Sequence, residues 1–363
     1  MIRCSRCVMP STRPDIEFVD GVCSACIAHE KRKEINWEER HKQLCQILEG
    51  APRIAGFDCI VPSSGGKDSH YQVKTLLDLG AKPLVVTAST CHLTAIGRRN
   101  IDNLAEYATT IEYSPNKAVR ARLNFLGLDL VGDISWPEHV AINVQPWKVA
   151  VAMGIPLMFY GENPTREYGG PLDTHENRRM TRRWISEFGG QLGLRPSDIK
   201  EVPGHLLEDY ILPSQESLDR LGINAYFLGQ FIAWDSRRNA SVAMDMGMEA
   251  ELAYDGSWWP WENLDNAQTG LHDWFGYLKY GYNRASAQLS VDVRNGVVTR
   301  DFAQQEARRL DAIFPRRYGG VPILEVLDRI GIDMNTLVEL MNRFTNADLF
   351  TESDDVPVLK ETA

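Results

Sequence analysis

The chain has 363 residues, of which 44% are hydrophobic and 24% charged, and its formal net charge is -10. That length holds one large domain with appendages or two ordinary ones, the composition excludes a disordered chain, and no apolar run reaches the roughly eighteen residues that a membrane helix requires. An acidic surface repels nucleic acid at long range, which argues against a tRNA or DNA substrate.

The amino terminus, MIRCSRCVMP, has no apolar core behind its arginines, so no export signal is expected and the protein is assigned to the cytoplasm. Seven cysteines, an odd number without export features, read as metal ligands or free thiols ahead of disulfides. Cys4-x-x-Cys7 and Cys23-x-x-Cys26 are separated by fifteen residues. Two such pairs supply four thiolates for one tetrahedral zinc, whereas a redox-active pair would need no second pair at this spacing. A closed four-thiolate site has no open coordination position, so a structural metal is expected, folding a segment too short to fold alone. Cys45, Cys59 and Cys91 remain; buried packing is the simple reading for each, with Cys91 placed near strand ends where ligands bind. Residues 1–30 are thus expected to form a zinc ribbon and 31–55 a link, with the charged, Leu-spaced pattern from His29 to Glu49 reading as a helix.

Phe57 to Ser69, FDCIVPSSGGKDS, is an apolar run, a glycine pair and then helical periodicity, with Val73, Leu76 and Leu77 on one face. That is strand, phosphate loop and helix. Gly65 and Gly66 let the backbone turn tightly and aim its N–H groups into a cup, to which the helix adds its positive end. The spacing does not satisfy G-x-x-x-x-G-K-[ST]. Ser64-Gly65-Gly66-Lys67-Asp68-Ser69 instead resembles the S-G-G-x-D-S loop of the PP-loop ATP pyrophosphatases. The resemblance implies that ATP is split into AMP and pyrophosphate, with AMP activating an oxygen, and that Ser63 to Ser69 bind the nucleotide.

Further along, Pro83 to Thr87 reads as a strand, Thr94 to Tyr107 as a helix, and Thr109 to Ser114 as a strand. Ala118 to Phe125 then reads as a helix ending near Gly127, and Pro156 to Tyr160 as a fourth strand. The alternation implies an α/β fold, a doubly wound parallel sheet with ligands at the carboxyl ends of its strands, over residues 56–250. Strand ends therefore supply candidates: Thr87, Gly161 and Glu162. Glu162 could hold magnesium with Asp68, accept a proton from an attacking amine, or cap its loop. From His175 to Phe188 the spacing predicts a helix stacking Arg178, Arg179, Arg182 and Arg183. This patch could suit the diphosphate of a nucleotide-linked substrate or a glutaminase partner, or be a solvated face.

Ala225 to Gly229 reads as a fifth strand, and Asp235 beyond it as a substrate ligand or a helix cap. The run YDGSWWPWE, Tyr254 to Glu262, could stack on a sugar; core packing explains it more simply. Lys279 and Arg284, among aromatics and glycines, are candidates to clamp phosphate charge, against the simple reading of a solvated lysine. Thr299 opens a helix, and Val321 to Ile330 and Met334 to Phe344 are two more. Residues 251–350 are thus a mainly helical region and 351–363 a flexible acidic tail.

Most of the chain also resembles the N-acetyl sugar amidotransferases of bacterial surface-polysaccharide biosynthesis. That resemblance rests on Cys4-Ser-Arg-Cys7-Val-Met9 with Gly21-Val-Cys23-x-x-Cys26, on Ser64 to Ser69, on Gly161-Glu162-Asn163, on Trp234-Asp235 and on Lys279-Tyr-Gly-Tyr-x-Arg284. It implies catalytic roles for Lys67, Asp68, Glu162, Asp235 and Lys279, with ATP, Mg2+ and structural Zn2+ as cofactors. The reaction implied is adenylation of the N-acetyl oxygen of a nucleotide-linked sugar, then displacement of AMP by ammonia to leave an amidine. Position 2 is Ile2, so no amino-terminal cysteine nucleophile is expected and ammonia would come from a separate glutaminase subunit. Two alternatives are tRNA thiolation, which typically uses cysteines at the nucleotide site, and a zinc-ribbon module that senses ATP without chemistry.

Overall fold

The architecture is that of a computed structural model, which describes residues 1–252, 254–351 and 357–360. Five strands, β1 (Cys59–Ser63), β2 (Pro83–Ala88), β3 (Thr110–Tyr113), β4 (Leu157–Tyr160) and β5 (Asn224–Phe227), form one sheet. Its order is β3-β2-β1-β4-β5 and every pairing is parallel. The strands read as near-continuous apolar runs because both faces are covered. Along β1, Cys59 and Val61 enter one core layer with Val73 and Leu76, while Ile60 enters the other with Trp147 and Met158. The chain reverses its direction of travel across the sheet between β1 and β4, and a crevice opens where their carboxyl ends diverge.

α1 (Lys67–Asp78) and α2 (Ala95–Ala105) follow β1 and β2, α2 being capped by Thr94 Oγ1, which accepts the Gly97 N–H at 3.0 Å. The expected helix ending near Gly127 runs on as α3 (Lys117–Val131) to a left-handed cap at Gly132. Gly127 does not stop it. A side chain there would lie 2.6 Å from the Asp133 carbonyl oxygen, so glycine serves close packing instead of termination. α4 (Trp136–Met153) was not anticipated at all. It carries Pro137 and Pro146 and is buried along most of its length against β1 and β2, so it shows neither an unbroken helical sequence nor an amphipathic stripe.

Two further expectations are corrected. The helix expected from His29 to Glu49 is two helices, Ser24–Lys31 and Trp37–Glu49, separated by a short turn; Asn36 caps the second by accepting the Glu39 N–H at 3.0 Å. The arginine-rich helix is restricted to Arg182–Phe188. Residues 178–180 instead run along the edge of β5, where Phe227 N–H donates to the Arg178 carbonyl and Met180 N–H to that of Ala225, each at 2.9 Å. The four guanidinium groups turn to Gln43, the Tyr226 hydroxyl, Gln215 and Glu187, so no single basic patch forms. An exposed sheet edge had more to offer that backbone than a helix did.

The carboxyl-terminal third is helical: α5 (Ser236–Asp245), α6 (Thr269–Tyr280), α7 (Arg284–Arg294) and the helices Arg300–Asp311, Ile323–Ile330 and Met334–Phe344. Of the expected tail, residues 352–356 and 361–363 lie outside the described residues, while Thr351 pairs with Val358 in a short antiparallel ladder. No helix among the described residues is long and apolar enough to cross a membrane.

The tryptophan run is pinned to α7. Gln288 Oε1 accepts the backbone N–H groups of Trp258 at 2.6 Å and Trp259 at 3.0 Å. The fully buried Asp292 accepts both indole N–H groups, at 2.7 and 3.0 Å, and pairs with Arg237 at 2.7 and 2.5 Å. Removing one member of such a buried charged network strands the others. Asp292→Ala is expected to cost about 3–5 kcal/mol of stability by urea unfolding, with Asp292→Asn restoring part of the loss.

Candidate active site

β1 ends directly in the phosphate loop. Gly65 sits at φ +80°, and a side chain on it would come within 2.7 Å of Ile101, so the turn needs glycine twice over. Ser63 Oγ accepts the Gly65 N–H at 3.0 Å and Ser69 Oγ accepts the Ser64 N–H at 3.2 Å, fixing the loop from inside. α1 then starts at Lys67, so the first N–H groups of the helix, which have no carbonyl partners within it, face the loop's concavity. The loop forms part of the wall of a cavity of about 480 Å³.

Lys67 lies at the floor of this cavity, its side chain 3% exposed, with Nζ 2.5 Å from Asp68 Oδ2 and 2.7 Å from Glu262 Oε1. Burial works against its charge, but the two carboxylates hold its pKa well above the ordinary lysine value. Glu262 in turn stays ionised: burial raises its pKa, and Lys67, with the Gln288 amide 2.8 Å from its other oxygen, brings it below the usual carboxylate range. Asp68 also accepts from Asn239 of α5 at 3.0 Å. Glu162, beyond β4, faces the same floor. Burial, with the nearby Asp68 charge, pushes its carboxyl up to about 7.

At another part of the wall, Asp133 lies between two imidazoles. Its Oδ1 is 2.7 Å from His272 Nδ1 and its Oδ2 is 3.1 Å from His139 Nδ1. Burial opposes ionisation of Asp133, yet the imidazoles hold its carboxyl well below the usual range. Asp273 links the two regions, paired with Arg284 at 2.6 and 2.7 Å and 3.9 Å from His272 Nε2.

Ser64 to Ser69, Glu162, Lys279 and Arg284 all line the cavity. Lys279 does so beside Asp133, with Nζ 3.1 Å from the Val131 carbonyl, and burial lowers its pKa. Arg284, expected to clamp phosphate, spends its fork on Asp273. Ser63, Thr87 and Gly161 lie behind the wall: Thr87 is in register with Ser63, and Gly161 makes room for the Trp234 ring, which a side chain there would meet at 3.2 Å. Asp235 is a correction. It caps α5, accepting the Arg238 N–H at 2.7 Å, and lies outside the cavity; the first turn of that helix points Asn239 inward instead. Cys59 and Cys91 do not line the cavity either; Cys91 faces Arg329 at 3.1 Å.

Sequence reasoning missed Glu262, Asp133, His139 and Asp273 as site residues. Glu262 ended a run read as core packing. Asp133 and His139 fall in a stretch with no anticipated element, and His272 and Asp273 lie ahead of the Lys279 to Arg284 run with no spacing to single them out.

The four amino-terminal cysteines converge. Cys4 and Cys26 Sγ are 3.8 Å apart and Cys7 and Cys23 Sγ 3.6 Å, close to the roughly 3.8 Å edge of a tetrahedron with zinc–sulfur bonds of about 2.3 Å. Backbone N–H groups of Arg6, Met9 and Cys23 point at these sulfurs at 3.3–3.5 Å, which favours thiolates. The donor set fits a structural zinc. Arg300 clasps the carbonyls of Cys4 and Cys7, and Arg13 extends from the ribbon to the cavity wall, so the ribbon also shapes the site.

Because Lys67 depends on Glu262 for half of its charge pairing, Glu262→Ala should cost roughly 2 kcal/mol in urea unfolding, with Glu262→Gln retaining part of it.

Residues 254–362 match the family described as "LPS biosynthesis protein WbpG-like, C-terminal domain". No curated protein matches the chain. Among solved structures it is similar to NMN synthetase from Francisella tularensis, at 12% identity and a TM-score of 0.27, over 60% of this chain and 98% of that one. The matched segment supplies Glu262, His272, Asp273, Lys279 and Arg284 to a cavity whose glycine loop lies ahead of it, so over that segment the chain is similar to the WbpG-like C-terminal domain.

Proposed function

We propose that this protein is an ATP-dependent, AMP-forming amidotransferase acting on the N-acetyl group of a nucleotide-linked sugar in lipopolysaccharide biosynthesis. The observation that carries the reading is the S-G-G-K-D-S loop closing one cavity with Lys67, Glu162 and Glu262, three charged groups held at the mouth of a phosphate-binding turn. The description of the matched family supports the pathway.

An amide resists ammonia because its oxygen leaves poorly. In the proposed reaction the N-acetyl oxygen attacks the α-phosphorus of ATP, the bond between the α-phosphorus and its bridging oxygen breaks, and pyrophosphate leaves into the loop. Ammonia then adds to the activated carbon, the carbon–oxygen bond breaks and AMP departs, leaving the amidine. Lys67 and the first N–H groups of α1 would take up the charge developing on the leaving pyrophosphate. Glu162, with its carboxyl at about 7, is suited to accept the proton that the attacking nitrogen sheds. The carboxylate oxygens of Asp68 suit Mg2+, which when bound would neutralise phosphate charge. Ammonia is mostly protonated at neutral pH, so a separate glutaminase delivering it directly is part of the proposal. Thiolation is disfavoured, since the cavity is lined by no cysteine among the described residues.

Incubation with ATP, Mg2+, ammonium and UDP-N-acetyl sugars is expected to release AMP only when the sugar is present, with mass spectrometry of the sugar showing oxygen replaced by nitrogen. AMP release that depends on tRNA, or no AMP with any acceptor, would sink the proposal. Lys67→Ala should lower kcat by about 100-fold or more.

Glu162 also ties stability to pH. Its folded-state pKa lies above the ordinary carboxylate value, so the folded protein holds the proton more tightly than the unfolded chain does. The stability this contributes is present at acid pH and is lost as pH rises from about 4.5 through about 7. Glu162→Gln, without ligand, is therefore expected to be more stable than the parent at about pH 8, with the advantage shrinking towards about pH 5, as read from urea midpoints.

A further inference from the structure

Asp133, His139 and His272 are not used by the proposed reaction, and they come from different parts of the chain. Asp133 follows α3, His139 lies in the first turns of α4, and His272 is on α6. Each offers one donor atom, and the three atoms all lie within 4.8 Å of one another.

The contact between His139 and Asp133 is not an ordinary hydrogen bond. His139 Nδ1 is shielded from solvent and has no hydrogen-bond partner, although Asp133 Oδ2 is only 3.1 Å away. A ring nitrogen and a carboxylate oxygen brought this close, off the hydrogen-bonding direction, are arranged as two ligands sharing an ion. With metal–ligand bonds of about 2.1 Å, two donors stand about 3.0 Å apart in an octahedral shell and about 3.4 Å apart in a tetrahedral one, and the observed separation lies between. Asp133 Oδ1 already accepts the Ser135 N–H at 2.8 Å, so Oδ2 is the oxygen left for coordination.

The turn carrying Asp133 is held before any ion arrives. Gly132 adopts the left-handed conformation that ends α3, and Asn124 donates to the Ile134 carbonyl at 2.6 Å and to Glu138 at 2.7 Å. Gln268, just ahead of α6, reaches the same carbonyl at 3.4 Å and so ties the turn to the helix bearing His272. Second-shell bonding of this kind orients ligands and raises affinity.

We infer that Asp133, His139 and His272 form a binding site for a divalent first-row transition metal, separate from the four-cysteine ribbon and facing the cavity. Two imidazoles and one carboxylate suit Zn2+, Fe2+ or Co2+ and discriminate against Mg2+ and Ca2+, which take oxygen donors. With three protein ligands the remaining positions open into the cavity, where water or an oxygen of a bound substrate completes the shell. The site does not depend on the adenylation reading, and its test contains no ATP.

Full-length protein with the ribbon zinc retained is titrated with Co2+ alone. The expected result is one equivalent bound, with weak visible bands of nitrogen and oxygen ligation, no intense thiolate-to-cobalt absorption and no zinc released. Mg2+ in about hundredfold excess should not compete. The His139→Gln/His272→Gln variant should bind Co2+ at least about tenfold more weakly while keeping its ribbon zinc. No Co2+ binding by the parent, or equal binding by a folded variant, overturns the inference. Should the variant not fold, X-ray absorption at the cobalt edge of the parent decides: an imidazole-containing shell without sulfur supports the site, and a sulfur shell refutes it.

Discussion

A buried ammonium between two carboxylates organises the centre of this molecule. Lys67 is the first residue of the helix after the phosphate loop, Asp68 is its neighbour in sequence, and Glu262 arrives from nearly two hundred residues away. Taking Lys67 out of water is costly unless its charge is matched, so the floor of the cavity is completed only when the carboxyl-terminal region docks. Glu262 can reach it because Gln288 and Asp292 pin the tryptophan run to α7. The aromatic run is core packing in its energetics, yet its last residue carries the charge that the phosphate loop needs.

The same logic extends along the cavity. Arg284 neutralises Asp273, Asp273 lies near His272, and His272 and His139 flank Asp133. Charges there are mostly balanced within the protein, although the chain as a whole is acidic. The amino-terminal ribbon takes part as well: Arg300 holds its knuckle to the carboxyl-terminal helices, and Arg13 reaches the cavity wall. Ribbon, sheet and helical region therefore build a single site, and no one of them contains it.

The expectations that failed share a cause. Helix spacing placed four arginines on one face from His175 to Phe188, but residues 178–180 found hydrogen bonds along β5 that local periodicity cannot register. Asp235 has the position of a strand-end ligand and the chemistry of a helix cap, and the cap won because α5 begins immediately after it. α4 was overlooked because a helix buried nearly all round has no polar face to mark its period, and its prolines resemble breaks.

Local chemistry settled a good deal by itself. The tight strand-to-helix turn was legible because Gly65 takes a positive φ against Ile101 that only glycine accommodates, and the ribbon because paired cysteines at short spacing bring their sulfurs together through the turn alone. The parallel sheet followed from apolar runs alternating with amphipathic helices, since strands covered on both faces leave no other pattern. What only the tertiary structure decided is which distant side chains meet the loop: Glu262 against Lys67, Asn239 against Asp68, and Asp133 between two histidines from separate helices. Those meetings depend on long-range packing and on matching buried charge, and neither leaves a period or a spacing in the sequence.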